Sequence, residues 1–312
     1  MKTSTRREFL RESAAAVAAL TLPMSAAKDL IIDIHQHTDY HGRSHEEMHA
    51  HQKAMGITHT ILLPSGRPTS TASTHFGKAN GLQARATGNE VCYEIARQYP
   101  KAYSFGANEV SDLPDAVETI EKYLKLGAKV IGESKFGVDC DSPEMQKIYQ
   151  LAEAYDVPVL LHWQHGMYNH GFERFHKMLE KYPRVNFIGH AQTWWANIDK
   201  NHTDQKVLYP KSKVTPGGIT DRLLRDYPNM YGDLSAGSGL NSLMRDEDHA
   251  REFLKRHQDK LMYGSDCADA VGHGDACDGA RIIEAVRRLA PDKKAERKIL
   301  YRNAKRLFKL KL

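Results

Sequence analysis

The chain has 312 residues, 41% of them hydrophobic and 27% charged, a mixture that excludes a disordered or fibrous polypeptide and implies a globular protein with a sizeable core. Its formal charge of +5 comes without a basic face, which excludes an ordinary nucleic-acid binder and leaves a small molecule as the expected partner. The four cysteines, Cys92, Cys140, Cys267 and Cys277, lack the paired short spacings of a structural zinc site; Cys267 with Cys277 is the candidate disulfide in an oxidising compartment.

Residues 1–27 read as a targeting segment and not as part of the fold. Arg6-Arg7-Glu8-Phe9-Leu10 is followed by the Ala, Val and Leu run of Ser13 to Leu22, then by the small residues Ser25-Ala26-Ala27. The order resembles a twin-arginine signal, which implies passage through the twin-arginine export machinery to a periplasmic or extracellular location. Removing this segment takes away four basic and two acidic groups and leaves +3 on residues 28–312. No later stretch of about 20 apolar residues follows to serve as a transmembrane helix.

From residue 28 onward, short runs rich in Val, Ile, Leu and aromatic residues alternate with stretches of helical periodicity. Eight strands are expected: Leu30 to Gln36, Thr58 to Pro64, Ala102 to Asn108, Ala128 to Ser134, Val157 to Trp163, Val185 to Ala191, Asn229 to Ser235 and Lys260 to Cys267. Helical spacing lies between them, as in Leu113 to Leu126, Pro143 to Tyr155 and Ala250 to His257. Strand and helix in alternation imply a parallel sheet, and eight repeats close a (β/α)8 TIM barrel. The two longest connections, Ser65 to Gly88 and Gln192 to Gly218, each follow a strand and therefore cover the catalytic face. No linker splits residues 28–312, so one domain is expected, as a monomer or a homo-oligomer.

The polar residues that end these strands carry the chemistry. Strand 1 ends Ile34-His35-Gln36-His37, and alternation points His35 and His37 to one side. Strand 5 ends in His162, strand 6 in His190 and strand 8 in Asp266. A buried imidazole or carboxylate is costly unless paired or metal-bound, and a shared divalent ion satisfies this whole set together.

In this order the motif resembles the amidohydrolase superfamily, in the amidohydrolase-related branch that includes lactonases and decarboxylases; the likeness spans nearly all of residues 28–312. It implies that His35, His37 and Asp266 hold a first metal with His162 as a further ligand. His190 either assists catalysis beside one ion or joins His162 on a second. Family members bridge two ions from strand 4 with a glutamate or a carboxylated lysine, and Val130-Ile131-Gly132-Glu133-Ser134-Lys135 offers both residue types. Glu133 is the expected bridge, and Lys135 either binds a substrate anion or pairs with Glu133. Imidazole and carboxylate ligands suit Zn2+ first, with Mn2+, Fe2+ or Ni2+ also accommodated, at one or two ions per chain.

The resemblance implies hydrolysis of an ester, lactone or amide by metal-activated water, with Asp266 as proton shuttle, or decarboxylation on a single ion as the alternative. Trp163, His165, Trp194 and Arg245 are the candidate substrate residues on the mouth loops. Trp194 and Trp195 either stack on a flat substrate or plug a long loop; Arg245 either clamps a carboxylate or pairs with Asp246. His41, His45, His49 and His51 are expected on a solvated face near a helix capped by Ser44.

Overall fold

The computed structural model describes residues 30–65 and 86–312. The arginine-pair segment and most of the connection after strand 2 lie outside the described residues. Among the described residues there are eight strands, each within one of the expected windows: β1 Ile32–Gln36, β2 His59–Leu62, β3 Tyr103–Phe105, β4 Ile131–Ser134, β5 Val159–His162, β6 Phe187–His190, β7 Met230–Asp233 and β8 Leu261–Met262.

All strand pairs are parallel, β1-β2-β3 in one set and β4-β5-β6-β7-β8 in the other. Two seams join the sets into a closed barrel. Between β3 and β4, Ala107 N donates to Val130 O at 2.8 Å and Gly132 N to Ala107 O at 2.9 Å. Between β8 and β1, Ile34 N donates to Tyr263 O at 3.2 Å and Asp266 N to His35 O at 2.8 Å. The fold is a TIM barrel.

Helices α1 (His45–Ala54), α2 (Asn89–Gln98), α3 (Ala116–Lys125), α4 (Pro143–Tyr155), α5 (His176–Lys181), α6 (Gln192–Ala196), α7 (Ile219–Asp226), α8 (Ala236–Met244), α9 (Glu247–His257), α10 (Asp278–Leu289), α11 (Lys293–Arg297) and α12 (Asn303–Leu307) follow the strands. No helix among the described residues is long and apolar enough to cross a membrane. Local chemistry sets several starts. Ser44 and Glu47 form a reciprocal cap on α1, at 3.2 and 2.8 Å. Ser142 caps α4, with Pro143 in the first turn where its missing N–H costs nothing.

The barrel interior below the mouth is filled by Ile32, Ile34, Ile61, Leu63, Val130, Leu160, Ile188 and Met262. Ala304, Leu307, Phe308 and Leu310 at the carboxyl terminus pack onto this layer and floor it. Burying each large aliphatic side chain is worth about 1.5–3 kcal/mol, so the closed floor holds the strands against the entropy of eight separate segments. The other face of the strands packs against the surrounding helices in a larger cluster that includes Leu62, Ile131, Leu161 and Phe187.

Candidate metal centre

Alternation in β5 and β6 delivers two candidate ligands directly. Leu160 and Ile188 face the interior, so His162 and His190, two residues on, face it too, and they sit side by side in register.

In β1 and β4 regular alternation would have failed. Ile32 and Ile34 face inward, and an unbroken strand would turn His35 outward. Instead the β1–β2 register slips, Asp33 pairing with Thr60 and Gln36 with Leu62. The extra residue is a bulge. It places His35 inside next to Ile34, and sends both Asp33 and Gln36 outward to Ser265 Oγ, at 2.5 and 3.0 Å. The same slip occurs in β4, where Ile131 pairs with Val159 and Ser134 with Leu161, and it brings Glu133 inward. Gly132 makes that bend with φ +141, and a Cβ there would lie 2.7 Å from Leu160 O.

The side chains thus gathered match the geometry of a cation site. Four ligands at 2.0–2.2 Å in a tetrahedron leave edges of roughly 3.3–3.6 Å between donor atoms. His35 Nε2 lies 3.2 Å from His37 Nε2, 3.5 Å from Glu133 Oε2 and 3.8 Å from Asp266 Oδ1. His37 Nε2 lies 3.2 Å from Glu133 Oε2 and 3.6 Å from Asp266 Oδ1. The other oxygens of both carboxylates face a neighbouring set: Glu133 Oε1 is 2.5 Å from His162 Nδ1 and 3.6 Å from His190 Nε2, and Asp266 Oδ2 is 3.7 Å from His190 Nε2.

Glu133 Oε2, Asp266 Oδ1 and His190 Nε2 are buried without a hydrogen-bond partner. Each such atom costs about 1–3 kcal/mol; a divalent ion beside His35 and His37 would satisfy Glu133 Oε2 and Asp266 Oδ1, and one beside His162 would satisfy His190 Nε2, so the residues present fit such ions. Burial opposes charge on His35, but the carboxylates of Asp266, Glu133 and Asp233 outweigh it and raise its pKa well above the usual value. Burial would likewise raise the Glu133 carboxyl, but His162, His35 and Lys135 hold it well below the usual range. His190 is pushed well down by burial and by His35, and His162 is lowered by burial and by Lys135.

Around the ligands stands a set of orienting partners. His37 Nδ1 is 2.8 Å from Leu63 O, which fixes the ring so that Nε2 faces Glu133. Asp233, at the end of β7, lies 2.7 Å from His35 Nδ1 and accepts from Ser235 Oγ at 2.8 Å; that hydroxyl is 2.9 Å from His190 Nδ1. Gly264 makes room for this contact, since a Cβ there would come within 2.6 Å of Asp233 Oδ1 and 2.8 Å of His35 Cβ. Sequence reasoning passed over Asp233, although it ends its strand as His162 and His190 end theirs. It also passed over Tyr40, whose hydroxyl donates to Asp266 and is raised far above the ordinary range, by the Asp266 charge first and then by burial.

The expected substrate residues fare differently. Trp163 and Trp194 are fully buried in the outer core, Trp163 against Phe172 and Phe175, Trp194 against Phe172 and Trp195. The reason is parity: Trp163 directly follows His162 and so points to the opposite face. Trp194 and Trp195 pack against the side-chain-free backs of Gly189 and Gly232. They are plugs, not a stacking platform. His165 is exposed and lines a cleft with Gln164, Asn169, Gly171 and Thr193. Arg245 is half-buried and donates to Ala196 O at 3.3 Å; Asp246 caps α9 instead of closing an ion pair with it. Lys135 stands over the Tyr168 ring at 5.7 Å, beside the site. His51 is another departure: it is fully buried, because Met48, His51 and Gln52 form the inner face of α1.

The sequence profile of the amidohydrolase family matches residues 32–310, from the start of β1 to the last floor residue. The chain belongs to the amidohydrolase family. This amidohydrolase is an enzyme of that superfamily, and its fold is shared with solved structures across most of its length. An uncharacterised TIM-barrel protein of Bordetella bronchiseptica aligns with a TM-score of 0.61 at 17% identity, over 90% of this chain and 98% of that one. A probable 2-pyrone-4,6-dicarboxylic acid hydrolase of Acinetobacter baumannii gives 0.56 at 16%, over 90% and 99%. A dihydroxybenzoic acid decarboxylase of Polaromonas, solved with bound manganese, gives 0.56 at 15%, over 91% and 98%. No curated protein matches the sequence.

Proposed function

We propose that this amidohydrolase hydrolyses an ester, lactone or amide at a two-ion centre, with zinc as first choice. His35, His37 and Asp266 would hold one ion, His162 and His190 the other, and Glu133 would bridge them. The observation that carries this reading is the two-sided Glu133, whose Oε2 faces the His35 and His37 nitrogens while Oε1 faces His162 and His190. Bound divalent ions supply Lewis acidity and bring the pKa of water down toward ~7. Asp266 takes the proton of the attacking water and returns it to the leaving group. Tyr40 holds that carboxylate by its hydrogen bond. His190, neutral and anchored through Ser235, faces the same space.

Metal content and a substrate panel test this. Purified without chelator, the protein is expected to hold two ions at these ligands and to open lactones or cleave esters or amides. Glu133→Ala is expected to lose one of the two. Full metal content and full activity in that variant would remove the bridge.

A second reading is decarboxylation on one ion. It is favoured by the 2.5 Å contact of Glu133 Oε1 with His162 Nδ1, closer than two ligands of one tetrahedral ion approach each other. One ion at these ligands and carbon dioxide release from aromatic carboxylates would establish it.

Export is part of the proposal. Replacing Arg6 and Arg7 together by lysine is expected to keep the protein in the cytoplasm; unchanged export would refute the twin-arginine reading.

A further inference from the structure

Behind the mouth, on the outer side of the seam where β8 meets β1, four side chains with metal-binding atoms converge. They are His51 of α1, Cys267 and Asp269 on the chain leaving β8, and Cys277 at the start of α10, all with ligand atoms within 4.8 Å of one another. His51 and Cys277 are fully buried and Cys267 nearly so.

Cys267 and Cys277 do not form the expected disulfide; both thiols are free, with Sγ atoms 3.6 Å apart. A disulfide would bring the sulfurs to about 2.05 Å. Two thiolates on one tetrahedral zinc, with Zn–S near 2.3 Å, sit about 3.8 Å apart, a thiolate and an imidazole about 3.6 Å, an imidazole and a carboxylate about 3.3 Å. The corresponding separations are 3.6 Å for Cys267 to Cys277, 3.4 Å for Cys277 to His51 Nε2 and 3.2 Å for His51 Nε2 to Asp269 Oδ2.

A second observation points the same way. Backbone N–H groups at the start of α10 are aimed at the sulfurs: Gly279 N donates to Cys267 Sγ at 3.0 Å and Ala280 N to Cys277 Sγ at 3.4 Å. Such donors stabilise sulfur as thiolate, the form in which it binds metal.

We propose that His51, Cys267, Asp269 and Cys277 form a second metal site, a closed structural one that takes zinc. Binding releases one proton from each thiol as its Zn–S bond forms, and no oxidation is involved. Two thiolates, one carboxylate and a divalent ion leave one negative charge. Arg43 stands beside it, donating to Asp269 O at 2.5 Å and to Gln36 Oε1 at 2.8 Å. Four protein ligands leave no open position for substrate, so the ion's work is mechanical. It ties α1, which follows β1, to the chain leaving β8, immediately next to Asp266. The ligands come from segments more than 200 residues apart, so no short cysteine spacing announces the site.

The test is cobalt substitution in the reduced full-length protein. Cobalt bound by thiolate gives a near-ultraviolet charge-transfer band that the catalytic ligands, having no sulfur, cannot give. The band is expected in the unaltered protein and in Glu133→Ala, and is expected to vanish, with loss of one ion per chain, when Cys267 and Cys277 are both replaced by serine. Absence of the band in the cobalt-loaded unaltered protein overturns the proposal. So does a thiol titration of freshly isolated, denatured and unreduced protein that finds Cys267 and Cys277 joined. Because the readout is sulfur-specific, it stands or falls separately from the catalytic centre.

Discussion

Asp233 Oδ2 lies 2.7 Å from Nδ1 of His35, on the edge of the ring opposite the nitrogen that faces Glu133 and Asp266. The carboxylate therefore fixes which nitrogen of His35 is free to bind and keeps it basic. Asp233→Asn preserves the shape and removes the charge. The expected result is a drop of about 10–100-fold in metal affinity with the fold intact, measured by competition against a chelator. Unchanged affinity would show that His35 is oriented by packing alone.

Gly264 sets the distance of that contact. A methyl group at this position must displace Asp233 or His35, both fully buried. Gly264→Ala is expected to lose both metal and activity while a far-ultraviolet dichroism spectrum stays that of a barrel. A variant that binds metal normally would mean the neighbours give way at little cost.

Asp266→Ala separates holding from shuttling. Turnover is expected to disappear, while the His35 and His37 side keeps a weaker ion. Retention of more than a few per cent of the rate would assign the proton transfer elsewhere.

Trp163 tests the correction made to the mouth. With no exposed surface and two phenylalanine rings against it, its removal creates a cavity in the outer core. Trp163→Ala is expected to cost about 3–5 kcal/mol in chemical denaturation, and the surviving enzyme is expected to keep its KM. A raised KM with unchanged stability would return this ring to the substrate.

Acid stability has its own residue. Asp221 accepts from His257 Nε2 at 2.6 Å and from Gly217 N at 2.9 Å. Burial works against its charge, but His257 and Arg256 bring the pKa down to about 2. A lowered folded-state pKa stabilises above the unfolded value near 3.9 and is lost as pH falls toward the folded value. Asp221→Asn is expected to lose roughly 1–2 kcal/mol, constant above about pH 5, with the difference from the unaltered protein closing between about pH 4 and 2. A difference that persists at pH 2 would mean shape, not charge, carries the effect.

The eight strands were legible because hydrophobic runs bounded by turns recur at barrel spacing, and His162 and His190 because β5 and β6 alternate without interruption. His35 and His37 were legible as a pair, being two apart. That they share the interior with Ile34 was not, since a bulge is a property of register between two strands and leaves no mark in one of them. The inward turn of Glu133 has the same origin. Parity already placed Trp163 opposite His162, and the spacing of Met48, His51 and Met55 already placed His51 on a buried face. For Trp163 chemistry that looked functional was given more weight than parity; for His51 the polar type of the residue was given more weight than its spacing.

β8 is a strand of only two residues, and the hydrogen bond from Asp266 N to His35 O closes the ring of strands where two of the proposed metal ligands meet. Docking of this last strand is thus the event that brings the carboxylate to the imidazoles. A chain that had folded everything but that edge would have nearly all its helix and sheet and no grip on the proposed ion. With the proposed ligands, uptake of metal at His35 and His37 together with Asp266 would in consequence report closure of this seam, and a refolding experiment followed by ion capture would time that closure directly.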